Sequence, residues 1–352
     1  GATMTVQPAT LSGLDLRAFA PNPYNLDPRS LDYQQFAYFL SRLGAEIARD
    51  ALAEYRATPQ YDGRPLFVLG SVGPSNRVLS HTKADLVEST FDAIADNFYH
   101  QVCGLLDGGV DALIYETQQD VLELKAALLG GKAAMREKGR AVPVIAQVTV
   151  DQFSRMQIFN TDIHAAQVSI AGMGIDAFGI NCSIGPDLMV RSVEKLARFS
   201  PLPISVIPNA GLPESENGKT VFKFPPDRFA AFQRQFVEEY GVNIVGGCCG
   251  TRPDHIRCVA EAVRELKPRA RAPQPGLYVS GMEEAVLLDG SKTLIRIGER
   301  LNVRGSKKVR DAVENDTGIN HDVLEEVAHE QIDDLGCEVI DVCMDSNQID
   351  TV

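Results

Sequence analysis

The chain has no run of lysine and arginine of the kind that tracks a phosphate backbone, and its 34 basic residues against 47 acidic ones leave a net charge of −13. That balance excludes nucleic acid as a natural partner. No apolar stretch approaches the roughly 18 residues of a membrane span. The opening residues GATMTVQPAT have neither the basic start nor the apolar centre of a signal peptide. These absences predict a cytoplasmic protein with no membrane partner. The seven cysteines, at 103, 182, 248, 249, 258, 337 and 343, do not make an even set. A long chain needs no disulfide staples, so the thiols are expected reduced, with some chosen for metal or catalysis. The histidines, at 81, 100, 164, 255, 321 and 329, show no metal-ligand spacing, and His321 and His329 lie on a polar helical stretch. No short-period repeat and no low-complexity tract occurs.

With 352 residues, 44% of them hydrophobic, the chain can bury a large core. Short β-type runs alternate with amphipathic stretches of helical length, which is the rhythm of βα units around a parallel sheet. Candidate strands are Thr3–Gln7, Leu66–Gly70, Ala112–Glu116, Val144–Val148, Ala177–Asn181, Ile204–Ile207 and Asn243–Gly246, with helices such as Lys83–Leu106 and Pro226–Tyr240 between them. The expected fold class is α/β, a (β/α)₈ TIM-type barrel lacking its first βα unit in this chain. The stretch KPRARAPQPG after Leu266 has linker composition. Domain boundaries are therefore expected at 1–267 for the barrel, 268–285 for a linker and 286–352 for the beginning of a second βα barrel. In that last part AVLLDGSKTLI predicts a hairpin on an Asp-Gly turn, followed by a strand at Ile295–Gly298, a helix near His321–Leu335 and a strand at Val339–Val342.

Chemistry concentrates in VGGCCGT and GINCSIGPD. Alternate faces of a strand would send Cys248 and Cys249 apart, so both must lie where the strand ends. Gly246, Gly247 and Gly250 let the chain turn there, and Pro253 with Asp254 starts the next helix. Cys182 sits at a second strand end, two strands away in barrel order. Three thiols converging on the carboxyl-end rim suit a zinc ion with one open position. Small core cysteines, or a vicinal disulfide, are the alternatives from spacing alone. Cys103 and Cys258 lie on helical faces and are expected to be core thiols. At the same rim, Glu116 in IYETQQD ends a strand and could accept a substrate ammonium, and GSVGPS, with Ser71, offers hydroxyl and amide donors.

GINCSIGPD, PNAGLP and VGGCCGT together resemble the homocysteine methyltransferase family. IGERLNVRGSKKVRD with VIDVCMD is similar to the start of the pterin-binding domain that follows that barrel in cobalamin-dependent members. The resemblance implies zinc held by Cys182, Cys248 and Cys249, with Asn209 of PNAGLP filling the fourth position when substrate is absent. It implies homocysteine as the substrate, its thiol activated at zinc, and methylcobalamin, held by a cobalamin-binding domain outside this chain, as methyl donor. Betaine or S-methylmethionine as donor, or a non-catalytic zinc barrel, are the alternatives. In the second part Glu299, Asn302 and Asp341 match positions that would hydrogen-bond a pterin, and methyltetrahydrofolate is expected to bind only in an intact second barrel. The family's opening motif, expected to meet the amino-acid end of the substrate, has no counterpart in these residues.

Overall fold

The structure is a computed structural model that describes residues 32–80, 89–288, 294–314 and 318–344. The chain divides into two compact units, one of residues up to Pro275 together with Ser280–Ala285, the other of Gly276–Val279 and Val286 onward.

In the first unit a six-stranded parallel sheet runs in the order β1-β2-β3-β4-β5-β8. Its strands are β1 (Leu69–Val72), β2 (Ala112–Gln118), β3 (Val144–Val148), β4 (Ala177–Asn181), β5 (Ile204–Ile207) and β8 (Ile244–Val245). Helices α1 (Tyr33–Arg56), α2 (Phe91–Asp107), α3 (Val121–Glu137), α4 (Ile163–Ala171), α5 (Pro186–Phe199), α6 (Pro226–Tyr240) and α7 (Pro253–Val263) alternate with them. This is the expected α/β arrangement, a curled parallel sheet of TIM type. Every residue of β3 and of β4 is buried, which explains why both strands are mostly apolar in the sequence, with Gln147 and Asn181 the buried polar exceptions.

Alternation of side chains assigns the two faces. Leu113, Tyr115, Ala146, Phe178, Ile180 and Val206 point outward into a large cluster with Leu124, Leu128, Val193 and Leu196 of the covering helices. Ile114, Ile145 and Ala177, with Ile207 and Ile244 against them, form a smaller cluster on the inner face. The helices after β4, β5 and β8 each begin on proline at their first turn, where the missing N–H leaves no bond unmade.

Strands β3, β4 and β5 and helix α6 lie where the periodicity places them, and several other elements differ in ways that have local causes. The first strand begins at Leu69 rather than Leu66 and runs through Val72. Helix α2 begins at Phe91, capped by the Thr90 hydroxyl, which accepts from the Ala93 amide. Residues 81–88 and the expected strand Thr3–Gln7 lie outside the described residues. A two-stranded antiparallel hairpin, β6 (Glu214–Glu216) with β7 (Lys219–Val221), stands between β5 and α6 and was not anticipated. The linker-like stretch 268–275 is bound to the first unit. The Arg271 guanidinium donates to the carbonyls of Ser200 and Leu202, that of Arg269 to Glu239, and the Gln274 amide to Arg198.

In the second unit β11 (Ile297–Asn302) pairs in parallel with β12 (Val339–Cys343), accompanied by α8 (Lys307–Val313), α9 (His321–His329) and a π-helical turn over Glu330–Asp334. Leu301, Val303, Val309 and Val327 form its buried cluster. Strand β10 (Ala285–Leu287) pairs with β9 (Tyr278–Ser280) upstream of it rather than across the Asp-Gly turn. That turn lies outside the described residues.

Candidate active site

Three loops at the carboxyl ends of β4, β5 and β8 are joined by main-chain hydrogen bonds. The Cys182 amide donates to Ile207 at 3.0 Å, the Asn209 amide to Ile184 at 3.0 Å, the Cys248 amide to Pro208 at 2.8 Å and the Ala210 amide to Cys249 at 2.9 Å. The Asn209 side chain joins them, its Oδ1 accepting from the Cys249 amide at 3.0 Å. Cys182 and Ser183 have φ of 62° and 64°. This turns the chain sharply at the strand end and aims Cys182 toward the β8 loop. Gly250, at φ 76°, makes the matching turn after Cys249, and a Cβ there would run into the Phe222 ring.

The result is a cluster of three sulfurs, Cys182, Cys248 and Cys249, all within 4.8 Å of one another. The Cys182 and Cys249 sulfurs are 3.7 Å apart. Two sulfurs bound to one tetrahedral ion at about 2.3 Å stand about 3.8 Å apart. Two of the thiols are half-buried and Cys249 is exposed, so the cluster opens to solvent on one side. The Cys248 thiol donating toward Cys182 pulls the latter down to about 5, aided by the Ser183 amide and opposed by burial. Cys248 moves upward because it is the donor of that bond and is itself buried. Cys249 moves upward through burial and the negative charge on Cys182. Left to themselves the three thiols share one charge, and a bound cation is what would let all three ionise.

On the strand ends of β1 and β2, the Ser71 hydroxyl donates to the Glu116 carboxylate. Thr117, next to Glu116, is held by Asn181: its amide donates to Asn181 Oδ1 at 2.7 Å, and Asn181 Nδ2 donates to Thr117 Oγ1 at 2.8 Å. In the loop after β1, the Ser75 amide donates to Glu123 at 2.6 Å and the Leu79 and Ser80 amides to Asp120 at 2.7 and 2.8 Å. Burial pushes Glu123 up to about 7, its bonds to Ser75 pulling the other way.

The structure thus brings together Cys182, Cys248, Cys249 and Asn209, and brings Ser71 to Glu116 on the neighbouring strand ends. Of the GSVGPS amides, that of Ser75 is taken by Glu123. Cys103 and Cys258 pack in apolar clusters. Glu299 and Asp341 are exposed, and the Asn302 side chain accepts from its own loop, the amides of Arg304 and Gly305, at 2.9 Å each. Sequence reasoning missed Asn181, Thr117, Asp120 and Glu123. The signal for Asn181 was its place: an amide side chain in an otherwise apolar strand, directly before Cys182. No helix among the described residues is long and apolar enough to cross a membrane.

A family model for homocysteine S-methyltransferase matches residues 18–263. Methionine synthase of Mycobacterium tuberculosis is 37% identical over 308 residues, 87% of this chain and 24% of the relative. That of Mycobacterium leprae is 36% identical over 313 residues, 87% of this chain and 25% of the relative. The chain therefore spans about a quarter of the length of these curated relatives. Among solved structures, the metallated form of the homocysteine methyltransferase MmuM from Escherichia coli superposes with a TM-score of 0.54 at 23% identity, covering 74% of this chain and 77% of that one. Its apo form gives a TM-score of 0.51 at 25% identity over 66% and 76%. At such identities the likeness speaks for the fold.

Proposed function

Because the chain belongs to the homocysteine S-methyltransferase family, we propose that its first unit activates the thiol of homocysteine at a zinc ion held by Cys182, Cys248 and Cys249, for methyl transfer from methylcobalamin to form methionine. The observation that carries this reading is the convergence of three thiols from two strand ends within 4.8 Å. An all-sulfur donor set favours zinc over the harder divalent cations, and three protein ligands with a solvent-open side are the catalytic rather than the structural pattern. Zinc, when bound, supplies the Lewis acidity that makes a substrate thiol a nucleophile at neutral pH.

The chain's own residues then bind and orient. Hydrogen bonds among the three loops fix the sulfurs before any substrate arrives, which lowers the ordering cost of binding. Glu116, steadied by Ser71, accepts the substrate ammonium at the same rim. Asn209 steadies the Cys249 amide through its oxygen, and to serve as a fourth ligand it would have to release that bond. The methyl donor is read as methylcobalamin because the second unit carries IGERLNVRGSKKVRD and VIDVCMD in β11, α8 and β12, a pterin-type opening in which Glu299, Asn302 and Asp341 would meet methyltetrahydrofolate once the rest of that barrel encloses it. The cobalamin-binding part lies outside these residues, and the setting is cytoplasmic.

Zinc per chain, measured by atomic emission on reduced protein, is expected at one equivalent and near zero in both Cys182→Ser and Cys249→Ser. Calorimetric titration with L-homocysteine should show binding only to the zinc-loaded protein. Reduced protein that holds no stoichiometric zinc, or that binds homocysteine equally well without it, would overturn the reading.

A further inference from the structure

Asn181 is the last residue of β4 and is fully buried. Its partner Thr117 stands at the end of β2, with β3 lying between the two strands, so the pair is bonded across the inner face of the curled sheet rather than along a ladder. Both ends of the amide are used on one residue: Oδ1 accepts from the Thr117 amide at 2.7 Å and Nδ2 donates to Thr117 Oγ1 at 2.8 Å. On its other side Nδ2 faces the Cys248 sulfur at 3.9 Å.

Thr117 needs such a hold. Its φ is 62°, in the left-handed region, which a β-branched residue occupies only when its surroundings impose it. It also sits in the register shift between Tyr115 and Gln118, where β2 carries Glu116 and Thr117 opposite the single residue Gln147 of β3. Bulges of this kind re-aim a side chain next to a site. The bulge here turns Thr117 toward Asn181, while Glu116, two positions after the inward-facing Ile114, keeps the inner face and receives the Ser71 hydroxyl. A continuous connection therefore runs from Ser71 and Glu116 through Thr117 and Asn181 to Cys248, built from strand-end backbone and short side chains, with its one longer side chain, Glu116, tied at the carboxylate by Ser71.

We propose that Asn181 is a positioning residue that fixes the span between the Glu116 carboxylate and the thiol cluster, and that this fixed span selects homocysteine over cysteine, its homologue one methylene shorter. The inference rests on the proposed function, in which the thiol and the ammonium of one substrate are held at those two places. A hydrophobic pocket alone discriminates one methylene by roughly 10- to 200-fold. Two polar ends held at a rigid separation add to this, because the shorter amino acid cannot reach both. A loose span would let Glu116 follow the shorter ligand and the preference would shrink.

The test is calorimetric titration of the full zinc-loaded chain with L-homocysteine and with L-cysteine, for the unaltered protein, Asn181→Ala and Thr117→Ala, with zinc per chain measured on each. The unaltered protein is expected to prefer homocysteine by at least about 10-fold. Asn181→Ala should bring the two dissociation constants within about threefold while zinc stays at one per chain, and Thr117→Ala should move the ratio in the same direction. A purely structural role would weaken both ligands by the same factor, leaving the ratio unchanged, and that result overturns the proposal. So does loss of zinc from Asn181→Ala, which would mean the amide serves Cys248 rather than the span. Should Asn181→Ala not fold, the ratio in Thr117→Ala decides by the same criterion. An unaltered protein that binds homocysteine with no preference over cysteine overturns this inference alone, whereas one that binds neither thiol overturns the proposed function with it.

Discussion

At the carboxyl ends of β4 and β8 in the first unit, Cys182, Cys248 and Cys249 lie within 4.8 Å of one another. At β11 and β12 in the second unit, Glu299 and Asp341 are exposed, and Asn302 spends its side-chain oxygen on the amides of Arg304 and Gly305. Both units place polar residues along parallel strands and follow a strand with a helix. They differ in what surrounds the strands. Every position of β4 is buried, with β3 and β5 beside it and helices behind it, whereas β12 has no fully buried position among its five residues. A polar side chain at a strand end is aimed by its neighbours. Cys182 follows a strand with neighbours on both sides. Cys248 and Cys249 follow β8, whose one neighbour among the described residues is β5 but whose loop is bonded through main-chain groups to the loop after β5. Where no such neighbouring loop is bonded, a polar side chain relaxes onto its own loop or into solvent. Motif residues therefore become a site where the loops of neighbouring strand ends are bonded to one another.

The largest expected effect sharpens this contrast through the cores. Phe178 of β4 is fully buried, and Phe178→Ala should destabilise the first unit by about 3–5 kcal/mol. Val309 is the corresponding fully buried residue in the second unit, and Val309→Ala should cost about 2 kcal/mol. Hydrogen exchange resolved by region measures both: the first substitution should raise exchange across β3 to β5, the second only between residues 297 and 343. Equal losses, or exchange that spreads the same way in both variants, would break the comparison.

A smaller effect concerns pH. The first unit buries the carboxylates of Asp120 and Glu123, while the buried polar side chains of the second, Ser306 and Gln331, carry no charge. Burial lifts Glu123 to about 7 in the folded protein, above its value in an unfolded chain. The folded state then holds the proton more tightly than the unfolded one, so the penalty is absent at low pH and grows as pH rises from the unfolded carboxyl range to about 7, levelling off above it. Glu123→Gln keeps an oxygen for the Ser75 amide and removes the charge. It should be near neutral at pH 4, below the unfolded carboxyl range, and stabilise the first unit by about 1–3 kcal/mol at pH 8, read from urea midpoints at the two values. A variant equally stabilised, or destabilised, at both would mean that the Glu123 charge is compensated where it lies.

Much of the first unit is legible in the sequence because buried parallel strands write themselves as short, mostly apolar runs, each here with a single polar residue, Gln147, Asn181 or Ser205. Val144–Val148, Ala177–Asn181 and Ile204–Ile207 are each preceded by proline or aspartate, and the structure places β3, β4 and β5 there. The end of the sheet was harder, since β8 has only two residues, both half-buried. The thiol cluster was legible because adjacent cysteines among glycines admit few geometries. Asn181 was not, because its role depends on reaching across an intervening strand to a residue 64 positions earlier, a contact no local pattern encodes. The hairpin Glu214–Val221 was missed for the opposite reason: its strands are short, charged and mostly exposed, so they lack the alternation by which strands are recognised. The arginines of 268–275 have linker composition, and only the folded chain shows their guanidinium groups capping carbonyls at the ends of α5 and α6.

The smallest expected effect asks what holds the second unit together. Lys308 on α8 pairs with Glu326 of α9 at 2.9 Å and with Glu330 at 3.4 Å. These contacts cross between helices just where the buried cluster of Leu301, Val303, Val309 and Val327 ties them to the strands. All three charged groups are open to solvent. Water already solvates them, salt screens their attraction, and ordering two long side chains offsets most of what remains. Lys308→Ala should therefore leave the unfolding midpoint of the second unit unchanged within error, at low salt as well as high. A loss comparable to that from Val309→Ala, and one that vanished in high salt, would show the unit to be pinned by surface charge instead of its apolar cluster. The contrast with the first unit would then be one of kind, a charge-held assembly beside a packed barrel, and no longer one of how far a shared architecture extends.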